Sequence, residues 1–131
     1  MTVGPLERDA ATAEFFDATA AGSFLLRRCP AGHFSEPPAA QCTTCASRSL
    51  RWEAARGGAT LVSWAVAWAR PAGGGEPQPT VLVIGELDEG PWWWSQLVDA
   101  DPANLAVGQR LRIEFRRAGE EHESVPVFAR A

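Results

Sequence analysis

Residues 27–50 read RRCPAGHFSEPPAAQCTTCASRSL, and how this stretch is read decides the fold of the first third of the chain. Cys42 and Cys45 form a C-x2-C pair, the spacing at which two thiolates from one tight turn reach a single ion. The other half offers Cys29, then Gly32 where a second cysteine would stand, then His33 one position further on. A Cys-x3-His half-site serves the same ion if its turn is slightly wider than a standard knuckle. Cys29, His33, Cys42 and Cys45 therefore read either as a Cys3His zinc site or as a ribbon that has lost its metal, and ligand chemistry favours zinc. In both readings the site is structural, because a closed shell of four ligands leaves no position for substrate. A redox role for Cys42 and Cys45 needs a helix start in a βαβ pattern, which the sequence lacks.

Working outward, the segment before the cysteines, ATAEFFDATAAG, has good helix formers, Asp9 or Thr12 as N-cap and Gly22 as a stop. A helix this short does not persist alone in water, so Phe15 and Phe16 must pack on the chain's own body or on a partner. Residues 1–8 read as a loose leader. After Gly57-Gly58 the pattern is β throughout. In LVSWAVAWAR, residues 61–70, Val62, Trp64, Val66 and Trp68 fall on one face and Ser63, Ala65, Ala67 and Ala69 on the other. TVLVIGEL reads as a strand buried on both faces, with Gly85 marking a bulge or bend. QRLRIEFRR turns Leu111, Ile113 and Phe115 inward and Arg110, Arg112, Glu114 and Arg116 outward. With WWWSQLV and VPVFA there are about five strands, which suit a small Greek-key barrel of the oligonucleotide/oligosaccharide-binding (OB) type.

Composition sets the outer bounds. The chain has 131 residues, a formal net charge of -4, twelve basic residues that are all arginine, and no tyrosine. The acidic balance argues against a general nucleic-acid or anionic-membrane binder, which needs a basic field. No run approaches the roughly 18 apolar residues of a membrane span, and no secretory signal begins the chain. With three clustered cysteines that cannot pair off, this points to a cytoplasmic protein.

The order TAEFFDATAAGSFLLRRC, Pro37-Pro38, GATLVSWAVAW, VLVIGELDEGP, NLAVGQRLRIEF, SVPVF resembles the zinc-ribbon/OB-fold proteins that accompany thiolase-like enzymes acting on acyl-CoA. The resemblance runs collinearly over residues 9–128. It implies a mainly β chain: a leader and helix over 1–24, a rubredoxin-like zinc ribbon, complete or degenerate, over 25–54, and a five-stranded OB barrel over 55–131. The family usually carries four cysteines, so Gly32 is a departure that bears on metal binding and not on the fold. Its members are usually not catalysts themselves. They form hetero-oligomers with thiolase-fold enzymes, among them acyltransferases and steroid side-chain retro-aldolases, and help form the path of the acyl-CoA. A GC-rich residue bias fits an actinobacterial source and favours the retro-aldolase partner.

In PWWWSQLV, Trp92 and Trp94 share one strand face and Trp93 takes the other, so all three cannot enter one core. Exposed tryptophans make interface anchors. Phe15, Phe16, Trp92, Trp93 and Trp94 are thus the candidate interface residues, the alternative being cover from the chain's own helix or ribbon. Arg110, Arg112 and Arg116 are candidate receivers of coenzyme A phosphates, against the plainer reading of a solvated strand face laced with Glu114. His122 sits in the acidic turn GEEHES, and no nucleophile elbow, carboxylate pair or phosphate loop is recognisable. The expected function is a non-catalytic accessory subunit with structural Zn2+ and a CoA thioester as ligand of the complex. The alternatives are a single-stranded nucleic-acid-binding OB protein and a free-standing acyl-CoA binder.

Overall fold

The structure, a computed structural model, describes residues 6–131, so most of the expected leader lies outside the described residues. Arg8, at its end, is held by Asp17 and Glu123. The helix α1 spans Ala13–Ala20. Asp9 organises its start by accepting from the backbone N–H and the hydroxyl of Thr12, both at 2.9 Å. Gly22, at φ +83°, ends it in the left-handed conformation that glycine adopts without strain. Phe15 and Phe16 are buried, and Thr19 donates to the carbonyl of Ser124 at 2.8 Å. The helix is therefore anchored on the chain's own body, which supplies the packing that so short a helix needs.

Three short strands follow as one sheet: β1 (Leu25–Arg28), β2 (Phe34–Ser35) and β3 (Arg51–Ala54), in the order β2-β1-β3, all antiparallel. The remaining strands, β4 (Gly58–Ala69), β5 (Gln78–Leu87), β6 (Trp92–Leu97), β7 (Arg110–Arg116) and β8 (Val125–Arg130), close into a barrel ordered β4-β5-β6-β8-β7. Closure depends on β6 and β8 meeting in parallel at Leu97 and Phe128, with β7 returning to β4 over Gly58–Thr60. This is the five-stranded OB arrangement expected from the strand count. Phe24 and Leu26 from the first sheet lie in the same buried cluster as Leu61, Val83, Leu97, Leu111 and Phe128, so ribbon and barrel share one core.

Two strands depart from expectation. In β5, Val81, Val83, Gly85 and Leu87 face inward, while Leu82 is 50% exposed, because no element among the described residues covers the outer face. The irregularity expected at Gly85 sits on the neighbouring strand, where the register slips between Leu61 and Ser63. Gly85 itself makes room for a ring: a Cβ there would lie 2.7 Å from Cζ of Phe128. In β4, Trp64 and Val66 pack against the core as their face predicts, but Trp68 lies beyond the barrel and is 66% exposed.

Candidate metal centre and docking face

The turn after β1 answers why the fourth ligand is a histidine in an unusual place. Cys29 and His33 are opposed across a three-residue loop: the Cys29 N–H donates to the His33 carbonyl at 3.0 Å, and the Gly32 N–H donates to Cys29 at 2.9 Å. Such a loop needs a left-handed residue last, and Gly32, at φ +90°, supplies it. Opposed residues of an antiparallel pair project to the same face. The loop thus sets His33 beside Cys29, with Nδ1 3.5 Å from Sγ. The second turn is one residue longer: the Cys42 N–H donates to Ser47, and Ala46 takes the left-handed position at φ +63°.

The four ligand atoms of Cys29, His33, Cys42 and Cys45 lie within 4.8 Å of one another. A tetrahedral zinc with bonds near 2.3 Å to sulfur and 2.0–2.1 Å to nitrogen sets S–S edges of about 3.8 Å and S–N edges of about 3.5 Å. The Cys29–Cys45 separation is 3.8 Å and the Cys29–His33 separation is 3.5 Å, so these edges already have the required lengths. The Cys42 thiol is lowered to about 6, chiefly because the Cys45 N–H points at its sulfur, with the Thr44 N–H adding to the effect. A thiolate is the form a metal binds. The donor set therefore fits one zinc ion, whose chemistry would be to cross-link the two turns. Beside it a cleft of about 410 Å³ separates the turns from the β5–β6 connection, lined by His33, Thr43, Thr44 and Glu89. One carboxylate oxygen of Glu89 accepts from the Arg56 N–H at 2.7 Å, and its other oxygen is buried without a partner among the described residues.

The tryptophan run divides as its alternation requires. Trp93 faces inward and is half-buried, its ring centroid 5.0 Å from Phe24 and 6.2 Å from Phe15. Phe15 and Trp93 thus help bind helix, ribbon and barrel to one another, and with Phe16 and Trp52 they also line a cleft of about 440 Å³. Trp94 is 71% exposed and Trp92 48%. Strand pairing aligns Ser63, Ile84 and Trp94 in one cross-strand row, and Ala65, Leu82 and Gln96 in the next. Together they make an apolar outer face with a groove of about 300 Å³. Leu82 and Ile84 were hidden from sequence reasoning, since an unbroken apolar run looks the same whether one face or both are covered.

The arginines of β7 are engaged. Arg110 grips both carboxylate oxygens of Asp88, at 2.8 and 2.9 Å. Arg112 pairs with Glu114, and Arg116 pairs with Glu114 and Asp99. This is the solvated, carboxylate-laced face, and a phosphate would have to displace these partners. Near the ribbon, Arg28 pairs with Glu53, while Arg27 stacks on Trp52 at 3.6 Å.

Comparison with known proteins agrees with this architecture. The family model described as the ChsH2 C-terminal OB-fold domain matches residues 52–116. A DUF35 domain-containing scaffold protein of Pyrococcus furiosus is 27% identical over 96 residues, covering 73% of this chain and 71% of that protein. The alpha subunit of the 3-oxo-4,17-pregnadiene-20-carboxyl-CoA hydratase of Mycobacterium tuberculosis is 30% identical over 104 residues, 79% of this chain but only 33% of that longer subunit. Among solved structures, a chain of the Ltp2-ChsH2(DUF35) aldolase superposes with a TM-score of 0.77 at 27% identity, covering 98% of both chains. Over nearly its whole length the chain is thus similar to the DUF35/ChsH2 OB-fold accessory proteins.

Proposed function

We propose that this chain is an accessory subunit of a thiolase-like enzyme that makes or cleaves carbon–carbon bonds in acyl-CoA thioesters. The observation that carries this reading is the end-to-end similarity to a chain of the Ltp2-ChsH2(DUF35) aldolase, at a TM-score of 0.77. The relatives named a scaffold protein and a hydratase subunit add support. In the finer form of the proposal the reaction is retro-aldol cleavage of a bulky, steroid-type side chain. The partner supplies nucleophile, acid and base, and this chain supplies the interface and a wall of the acyl-CoA path.

The docking surface is the outer face of β4, β5 and β6. Trp94, Trp92, Leu82 and Ile84 offer rigid apolar area of the kind that anchors interfaces, in a contiguous patch instead of scattered singly. The zinc site closes the ribbon and takes no part in chemistry. Its three unpaired thiols suit the reducing cytoplasm, where we place the protein. Single-strand binding is the weaker reading, because Arg110, Arg112 and Arg116 are neutralised by carboxylates and the net charge is -4.

The test is affinity capture from host lysate with mass-spectrometric identification, run beside a Trp94→Arg variant. Near-stoichiometric recovery of a thiolase-fold protein by the native chain and its loss in the variant support both the role and the face. Recovery of no thiolase-fold protein by the native chain overturns the role. Equal recovery by both chains leaves the role standing and overturns the face.

A further inference from the structure

The segment Trp64-Ala-Val-Ala-Trp68 reads the same in both directions, and it lies on a strand edge that the fold leaves open. β7 covers β4 only over Gly58–Thr60, and Leu61 bonds to Gly108 and Gln109. Beyond that point, among the described residues, β4 pairs with β5 alone, out to Ala69. From Leu61 to Ala69 the strand has no charged residue and no proline, the devices that usually keep a sheet edge from pairing.

The direction of the free groups follows from Leu61. Its side chain is buried in the barrel, while its N–H and C=O bond to Gln109 and Gly108, on the side away from β5. In a strand of L-residues, side chains on one face go with backbone groups on one edge. Trp64, Val66 and Trp68 share the inner face beyond the bulge, so their N–H and C=O groups point to the open edge. The groups of Ser63, Ala65 and Ala67 are the ones that bond to β5.

From this geometry we propose that the chain forms a two-fold dimer by antiparallel pairing of β4 with β4 of a second copy, centred on Val66. A two-fold contact must be self-complementary, and the palindrome makes it so. Val66 meets Val66 of the other copy, Trp64 meets Trp68, and Ala65 meets Ala67. Each of Trp64, Val66 and Trp68 then exchanges both backbone bonds across the axis. The exposed Trp68 gains an aromatic neighbour, and large residues oppose large ones while small oppose small. The surface is the edge of the sheet and adjoins the outer face assigned to the enzyme partner, where Trp64 and Ala65 line the groove, but the inference rests on backbone pairing and does not depend on that assignment.

Sedimentation equilibrium over a dilution series tests it on the full chain. The native protein is expected to pass from 14.1 kDa to twice that mass. Val66→Pro removes the N–H on the axis without touching a bond to β5, and is expected to weaken dimerisation roughly ten- to hundredfold through loss of the two axial bonds. Trp68→Lys, at a side chain exposed in the monomer, is a second variant expected to weaken it with far-UV circular dichroism unchanged. A native chain that stays monomeric overturns the proposal, as does a dimer that both variants leave intact. If the native chain is monomeric and Val66→Pro abolishes capture of the thiolase-fold partner, the edge belongs to that partner and not to a second copy.

Discussion

Gly85→Ala adds one methyl group at the centre of the barrel, and the structure allows its cost to be worked out. The new Cβ would lie 2.7, 3.0 and 3.2 Å from three ring carbons of Phe128, a side chain with no solvent exposure. Phe128 is held on both sides, opposite Leu97 on β6 and Ile113 on β7, so its ring has little room to retreat. Overpacking a methyl into such a core costs about 1–3 kcal/mol. Against this, alanine restricts the unfolded chain and returns about 0.4–1 kcal/mol where the backbone is compatible. The net expectation is a loss of about 1–2 kcal/mol. With an unfolding entropy of about 2.1 cal/mol/K per residue over 131 residues, that lowers Tm by about 4–7 °C. Urea unfolding followed by tryptophan fluorescence reads the free energy directly. The same substitution in a Phe128→Leu background separates ring contact from backbone effects: with the ring gone, the methyl has space, and its cost should vanish or reverse. A Gly85→Ala protein as stable as the native chain, or an equal loss in both backgrounds, refutes the reasoning.

Three further outcomes are expected. Elemental analysis of protein purified in zinc-containing medium should find one zinc per chain, lost in Cys42→Ser and retained in His33→Cys; absence from the native chain would identify the ribbon as a relic. Trp94→Arg should leave stability within about 0.5 kcal/mol while abolishing partner capture, because the side chain is 71% exposed. The Asp88 carboxyl is held below its ordinary value chiefly by hydrogen bonds from Arg110. Its contribution is therefore fully present above about pH 4 and lost as pH falls through the lowered folded-state value. In Asp88→Asn the acid limb of a stability–pH profile should be shallower, and an unchanged limb would show that the pair contributes nothing.

The periodic parts of the fold were legible because face and spacing are local properties. Leu111, Ile113 and Phe115 alternate with charged residues, and β7 follows at once. The convergence of Cys29, His33, Cys42 and Cys45 was legible too, since C-x2-C and a histidine near the partner cysteine are a matter of spacing. What could not be read was which surfaces the chain covers with itself. Phe15 and Trp93 look like interface anchors in a list of aromatics, yet much of their surface is spent on each other and on Phe24 and Trp52. Leu82 and Ile84 look like core, yet Leu82 is exposed and Ile84 only half-buried. Both features concern tertiary cover, which depends on contacts between residues far apart in sequence, such as the 105-residue separation between Thr19 and Ser124. The bulge misplaced by one strand is of the same kind: Gly85 makes room for Phe128 while its neighbour β4 carries the extra residue.

The placement of the helix and ribbon explains why the outer face of β4, β5 and β6 is left open. Both pack where Trp93, Phe24 and Trp52 gather, and Phe15 joins the two. The large aromatic surface on that side is consumed internally, so the ribbon's own small sheet, only two to four residues per strand, needs the barrel as its floor. A sheet of such short strands is marginal by itself. The same chain that spends Trp93 on holding the ribbon sends Trp92 and Trp94, by strand alternation, to the opposite surface. Three consecutive tryptophans in one strand thus serve two opposed surfaces at once. Any change that shifts β6 by one residue would exchange them, exposing Trp93 and burying Trp92 and Trp94. In the native register Trp93 lies opposite Gly85, whose missing side chain leaves its space to the Phe128 ring. If the outer face is the docking surface as proposed, ribbon packing and docking share one strand, and substitution of Trp93 should disturb both, whereas Trp94 should affect docking alone.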